Sequence, residues 1–207
     1  MFKKTTQLEK IILKTKKVFI HIPKTGGISV FLSLYGILGD HKSISDWQKI
    51  ISKRQYNTLY KFSVIREPID RFISAYNFYL NSGLGTKNDT EIKNLLIDKY
   101  KNINLFVDNL TTGKENILLF VPQFKFLSNL NNEIDIDNLI PFTNLEKGIN
   151  EIAHKKFNID EFSLMRINQA HKKLYSVNDL TESSIEKLSL FYREDFKLLE
   201  QSVTDFN

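Results

Sequence analysis

The sequence predicts an α/β fold, a small central parallel sheet flanked by helices, built as a single domain over residues 1–207. Two observations predict it. Short apolar runs of strand length recur along the chain, and each gives way to a turn and then to apolar residues at helical spacing. Strands that alternate with helices pair in parallel and are covered on both faces. The candidate strands are few, so the sheet is expected to be small. A chain of 207 residues holds one good-sized domain without needing a second.

The first strand is read at 17–22 (KVFIHI), ended by Pro23. Residues 23–27 (PKTGG) form a turn, and Ile28, Phe31, Leu32, Tyr35 and Leu38 then follow a helical period. Ser45 is placed as the cap of a second helix carrying Trp47, Ile50, Ile51 and Arg54. A second strand, 61–65 (KFSVI), ends at Arg66 and Glu67, and Pro68 suits the first turn of the next helix. That helix carries Ile69, Phe72, Ile73, Tyr76 and Leu80 on one face and stops near 81–83 (NSG). Phe72, Tyr76 and Tyr79 share a face, which favours core over a sugar-stacking platform. Residues 91–127 read as helical, with Leu105, Phe106 and Leu110 on one side. A short strand is read at 138–142 (NLIPF), and amphipathic helices at 145–157 and 181–202.

Composition removes several classes of function. The chain has no cysteine, so disulfides and thiolate metal sites are excluded. Its four histidines lack metal-ligand spacing, and no metal is expected. No apolar run reaches the length of a membrane span, and the Lys-rich start, 1–17, is not a secretory signal. The expectation is a soluble, cytoplasmic protein with no integral membrane segment. The net charge of +5 would attract anions, but an Asn-, Lys- and Ile-rich composition gives the same surplus with no partner. No block of five like charges forms a basic tail, and no nucleic-acid partner is expected.

The turn after the first strand carries the chemistry. Helix N-termini present unpaired N–H groups and the positive end of a dipole, so an oxyanion binds there. Gly26 and Gly27 let the backbone approach such an anion, Lys24 adds a mobile cation, and Thr25 and Ser29 add hydroxyl donors. A plain glycine turn is the alternative reading, and the Lys-Thr-Gly-Gly order at a strand–helix junction favours the anion. The pattern is not that of ATP-binding loops, in which lysine follows the glycines and a second strand ends in a magnesium-binding aspartate. Here the second strand ends in Arg66, a cation placed for a second anion. The ligand should carry two separated anionic groups.

These residues resemble the superfamily of sulfotransferases that use 3′-phosphoadenosine 5′-phosphosulfate (PAPS). The closer likeness is to the carbohydrate branch, with its heparan- and chondroitin-type enzymes and small bacterial members. FIHIPKTGGIS, 19–29, resembles the 5′-phosphosulfate loop, and FSVIREPIDRFISAY, 62–76, resembles the 3′-phosphate segment. Fainter likeness runs through GDHKSISDW, 39–47, VPQ, 121–123, PFTNL, 141–145, RINQAHKKLY, 166–175, and FYREDFKLLE, 191–200. Ile28 stands where the family usually has threonine, and Asn168–Gln169–Ala170 where it has Asn-x-Ser.

The resemblance implies a P-loop-like fold, PAPS as co-substrate and a carbohydrate hydroxyl as acceptor. It implies that Lys24, Thr25, Gly26, Gly27, Ile28 and Ser29 wrap the phosphosulfate, with Lys24 stabilising the bridging oxygen as the S–O bond breaks. It makes Arg66 and Ser74 the 3′-phosphate ligands, against an alternative in which Arg66 forms a structural ion pair. His41 is the candidate general base, since imidazole titrates near neutral pH. His21, inside a strand, is its rival and reads as a packed residue. His154 reads as surface, His171 as a nucleotide or acceptor contact or a solvated residue, and Gln123 as an acceptor contact or a packed loop residue. Arg71 is expected to be surface or structural. Two other functions remain at this point: a P-loop kinase or nucleotidase, and a non-catalytic polyanion-binding protein.

Overall fold

A computed structural model describes residues 5–167 and 172–206. In chain order the elements begin with α1 (Gln7–Thr15), β1 (Lys17–Ile20), α2 (Gly27–Tyr35), α3 (Ile44–Ile50), α4 (Lys53–Tyr56), β2 (Tyr60–Ile65) and α5 (Pro68–Leu80). They continue with α6 (Lys87–Asn94), α7 (Ile103–Thr111), α8 (Phe124–Leu127), β3 (Asn138–Pro141), α9 (Leu145–Phe157), α10 (Glu182–Phe191) and α11 (Arg193–Phe206). The chain packs as two compact units. One comprises Met1–Ile65, Gln123–Asn168 and Leu198–Asn207; the other comprises Arg66–Pro122 and Gln169–Lys197.

The first unit holds the sheet, a three-stranded parallel array in the order β1-β2-β3. This is the predicted α/β architecture. Val18, Phe19 and Ile20 are buried in succession, as are Phe62, Val64 and Ile65 around Ser63. Successive side chains in a strand point to opposite faces, so consecutive burial means that both faces are covered. Ile20 aligns with Ser63, and the Ser63 hydroxyl donates to the Ile20 carbonyl at 2.7 Å, tying the ends of the two strands. Near the start of the central strand β2, Lys61 pairs with Asp135 at 3.0 Å while Tyr56 donates to the same carboxylate.

The second unit is helical. Its core joins Phe72, Tyr76 and Tyr79 of α5 to Phe106 and Leu110 of α7, with Phe120, Leu188 and Tyr192. The three α5 aromatics are thus core, as their spacing predicts. Arg71 is fully buried and structural: it donates to the carbonyls of Leu119 at 2.9 Å and Val121 at 2.8 Å. Its guanidinium also lies 5.6 Å from the centre of the Tyr192 ring.

Several boundaries differ from the sequence reading for local reasons. The lysine-rich start contains α1, opened by a capping box in which Thr6 accepts from Glu9 N–H and the Glu9 carboxylate accepts in return from Thr6. Ser43, not Ser45, caps α3 through the same reciprocal arrangement with Asp46. The stretch 91–127 is broken rather than continuous: a π turn, Leu95–Lys99, follows α6, and α7 begins afresh at Asn102, whose side chain accepts from Leu105 N–H. Leu105 is 45% exposed, and the buried face of α7 is Ile103, Phe106, Val107 and Leu110. Residues 181–202 divide into α10 and α11 at Tyr192.

Candidate active site

The loop of the first unit is built from the end of β1. His21 and Ile22 leave the strand buried, and the Thr25 hydroxyl donates back to the Ile22 carbonyl at 2.7 Å. Thr25 is fully buried, so its proton braces the loop instead of pointing outward as expected; what it retains for a ligand is its backbone N–H. Lys24 and Gly26 both adopt the left-handed region, at φ 69° and 79°. Such a conformation costs a lysine about 1–2 kcal/mol. Left-handed residues alternating with ordinary ones turn successive N–H groups toward one side, which is how backbone concavities hold anions.

Helix α2 starts at Gly27 with Gly26 as its cap. No side chain caps it, and its first turn carries no acid. The amides of the first turn of a helix have no intrahelical partner, and here no carboxylate competes for them. Ser29 is buried in that turn and Ile28 is half-buried beside it.

Gly27 has a second, steric reason to be glycine. A Cβ there would fall 1.9 Å from Cδ2 of His21, whose ring fills the space. Gly27→Ala should therefore lower stability by about 1–3 kcal/mol, or roughly 2–4 °C in Tm for each kcal/mol in a chain of this size. A melting curve unchanged from wild type would show that the His21 ring is not packed there.

His41 lies on the loop between α2 and α3, beside His21. Its Nδ1 is 3.0 Å from the His21 carbonyl oxygen, and the two ring centres are 4.1 Å apart. A carbonyl only accepts, so Nδ1 carries the proton and Nε2 keeps its lone pair. Burial lowers the His41 pKa, and the hydrogen bond to His21 and the charge of Asp40 only partly offset it. At neutral pH His41 is therefore a neutral imidazole with Nε2 available as a base. Burial, and then His41, push the pKa of His21 well below the ordinary value.

In the second unit, Arg66 precedes α5. Its Nε donates to the Asp70 carboxylate at 2.6 Å, and its side chain is 18% exposed. An ion pair does exist at Arg66, with Asp70 on the first turn of α5. Asp70 is itself 58% exposed, so the pair is weakly held. Ser74 is half-buried one helical turn beyond Asp70. Gln123 is fully buried at the start of α8, in accord with a packed loop residue. Asn168, Gln169, Ala170 and His171 lie outside the described residues. Among the described residues no group of His, Asp or Glu could hold a metal ion, and no helix is long and apolar enough to cross a membrane.

An uncapped helix opening after a parallel strand, with a lysine in its loop, has the form of a site that takes an anionic group. The family model described as the sulfotransferase family matches residues 14–200. The chain belongs to the sulfotransferase family, and its reaction is sulfuryl transfer. No curated protein and no solved structure matches it significantly.

Proposed function

We propose that the protein transfers the sulfuryl group of PAPS to a carbohydrate hydroxyl, and that the whole chain serves this one activity. The observation that carries the proposal is the 23–29 loop. Left-handed Lys24 and Gly26 curl the backbone, and α2 opens with no side chain or acid at its amides. This loop takes the 5′-phosphosulfate, and Arg66 and Ser74 take the 3′-phosphate. Chain position supports the pairing. The loop follows β1, and Arg66 is the residue after Ile65, the last of the parallel strand β2. The carbohydrate acceptor rests on the likeness of segments 19–29 and 62–76 to the carbohydrate branch.

In this reading the acceptor oxygen attacks sulfur while His41 Nε2 takes its proton. The new O–S bond forms as the bond from sulfur to the bridging phosphate oxygen breaks. The electron pair stays on adenosine 3′,5′-bisphosphate, where Lys24 and the loop amides meet the developing charge. No step requires a metal ion.

Thermal shift is the test of ligand class, because a ligand that binds the folded state raises its melting temperature. Adenosine 3′,5′-bisphosphate should raise it without magnesium, and more than ATP with magnesium or heparin does. A larger shift from ATP with magnesium would favour a kinase, and from heparin a polyanion-binding protein; either would sink the PAPS assignment. Arg66→Ala should weaken adenosine 3′,5′-bisphosphate binding by about 10- to 100-fold, the worth of a charged hydrogen bond. Unchanged affinity would return Arg66 to a purely structural pair with Asp70.

A further inference from the structure

His21 is the residue whose packing the reaction described so far does not use. It is 6% exposed, and its Nδ1 is buried without a hydrogen-bond partner among the described residues. A buried polar atom left unpaired carries a desolvation cost that a phenylalanine or leucine at the same place would avoid. The ring sits between aromatic neighbours: Phe19 stacks at 5.9 Å and Phe31 meets it edge-on at 5.7 Å. Two further contacts are with the loop and His41. One is the 4.1 Å approach to the His41 ring, and the other is the occupation of the space over Gly27, the first residue of α2. The same residue also offers the carbonyl that accepts from His41 Nδ1.

We propose that His21 is a positioning residue for His41. Its carbonyl selects the Nδ1–H tautomer, its ring fixes the plane of the His41 ring, and its packing on Gly27 ties that plane to the anion loop. The consequence is that Nε2, the proton-accepting atom, is held in a fixed relation to the amides that receive the sulfuryl donor. This rests on the reading of His41 as the base. The groups acting on His41 are His21 across the ring contact and Asp40 next in the chain, with Lys42 paired to Asp40.

The test combines two readouts on the full chain, wild type against His21→Ala and His21→Phe. Histidine NMR reports the tautomer and titration of His41 without any assay of transfer. Both variants keep the backbone carbonyl, so the Nδ1–H tautomer should persist in each; in His21→Ala the His41 titration should rise toward the ordinary imidazole value of about 6.5, as water reaches the ring. The kcat should fall about 10-fold or more, in the range expected for a misplaced base, while affinity for adenosine 3′,5′-bisphosphate stays within about 2-fold. His21→Phe keeps an aromatic ring in that place, so it should return kcat to within about 3-fold of wild type. Two results would overturn the proposal. One is a His41 titration identical in His21→Ala and wild type. The other is equal loss of kcat and nucleotide affinity in both variants, as a general packing defect would give. Should the wild type transfer no sulfate at all, the reading of His41 as base fails, while NMR still decides whether His21 positions its ring.

Discussion

Lys24→Ala should lower kcat by about 10²–10³-fold, the loss usual when one preorganised donor to a developing oxyanion is removed. Lys24 sits at the head of the loop in a left-handed conformation that few residues adopt without cost. Alanine meets the same backbone penalty, so a change in loop shape is not the source of the effect. The charge matters most when the bridging oxygen gains its electron pair, so kcat should fall far more than nucleotide affinity. Steady-state kinetics with Lys24→Ala and Lys24→Arg separates the two terms. A guanidinium of different reach should recover only part of the rate. A Lys24→Ala enzyme with wild-type kcat would remove Lys24 from the chemistry.

His41→Ala should lower kcat by about 10²–10⁴-fold, the range for loss of a general base, and leave the KM for PAPS unchanged. The pH profile is a sharper check. The His41 pKa is lowered by burial, so the neutral form persists below the ordinary imidazole value. The acid limb of kcat/KM should therefore fall at a pH below about 6.5, where a solvent-exposed imidazole would already be losing activity. Activity drops as the pH falls through the lowered pKa, because the proton then occupies Nε2. An acid limb above that value, or none, would point to a different base.

Much of this was open to sequence reasoning. The three strands were legible because each is a short apolar run stopped by proline or charge, and α5 and α9 because their apolar residues keep one helical stripe. The anion loop was legible from turn chemistry. Arg71 was legible in principle: it falls on the stripe of Pro68, Ala75 and Tyr79, all buried with it, and only its charge argued for the surface. Capping boxes at Thr6 and Ser43 were equally available and would have placed α1 and α3 correctly.

What was not legible depends on chain segments that meet only after folding. No local pattern announces that the His21 ring would fill the space over Gly27 or stack on His41. Nor does sequence show that the Thr25 hydroxyl turns back to Ile22. The exposure of Leu105 follows from a helix that restarts at Asn102, which periodicity across 91–127 blurred.

One assay bears most directly on sulfuryl transfer from PAPS. The protein is incubated with radiosulfate-labelled PAPS, in EDTA, against a panel of oligosaccharides, with Lys24→Ala alongside. Label should pass to at least one sugar in wild type and hardly at all in the variant, with adenosine 3′,5′-bisphosphate released in equal amount. Label that stays on the nucleotide with every sugar, or passes equally well in Lys24→Ala, would contradict the account.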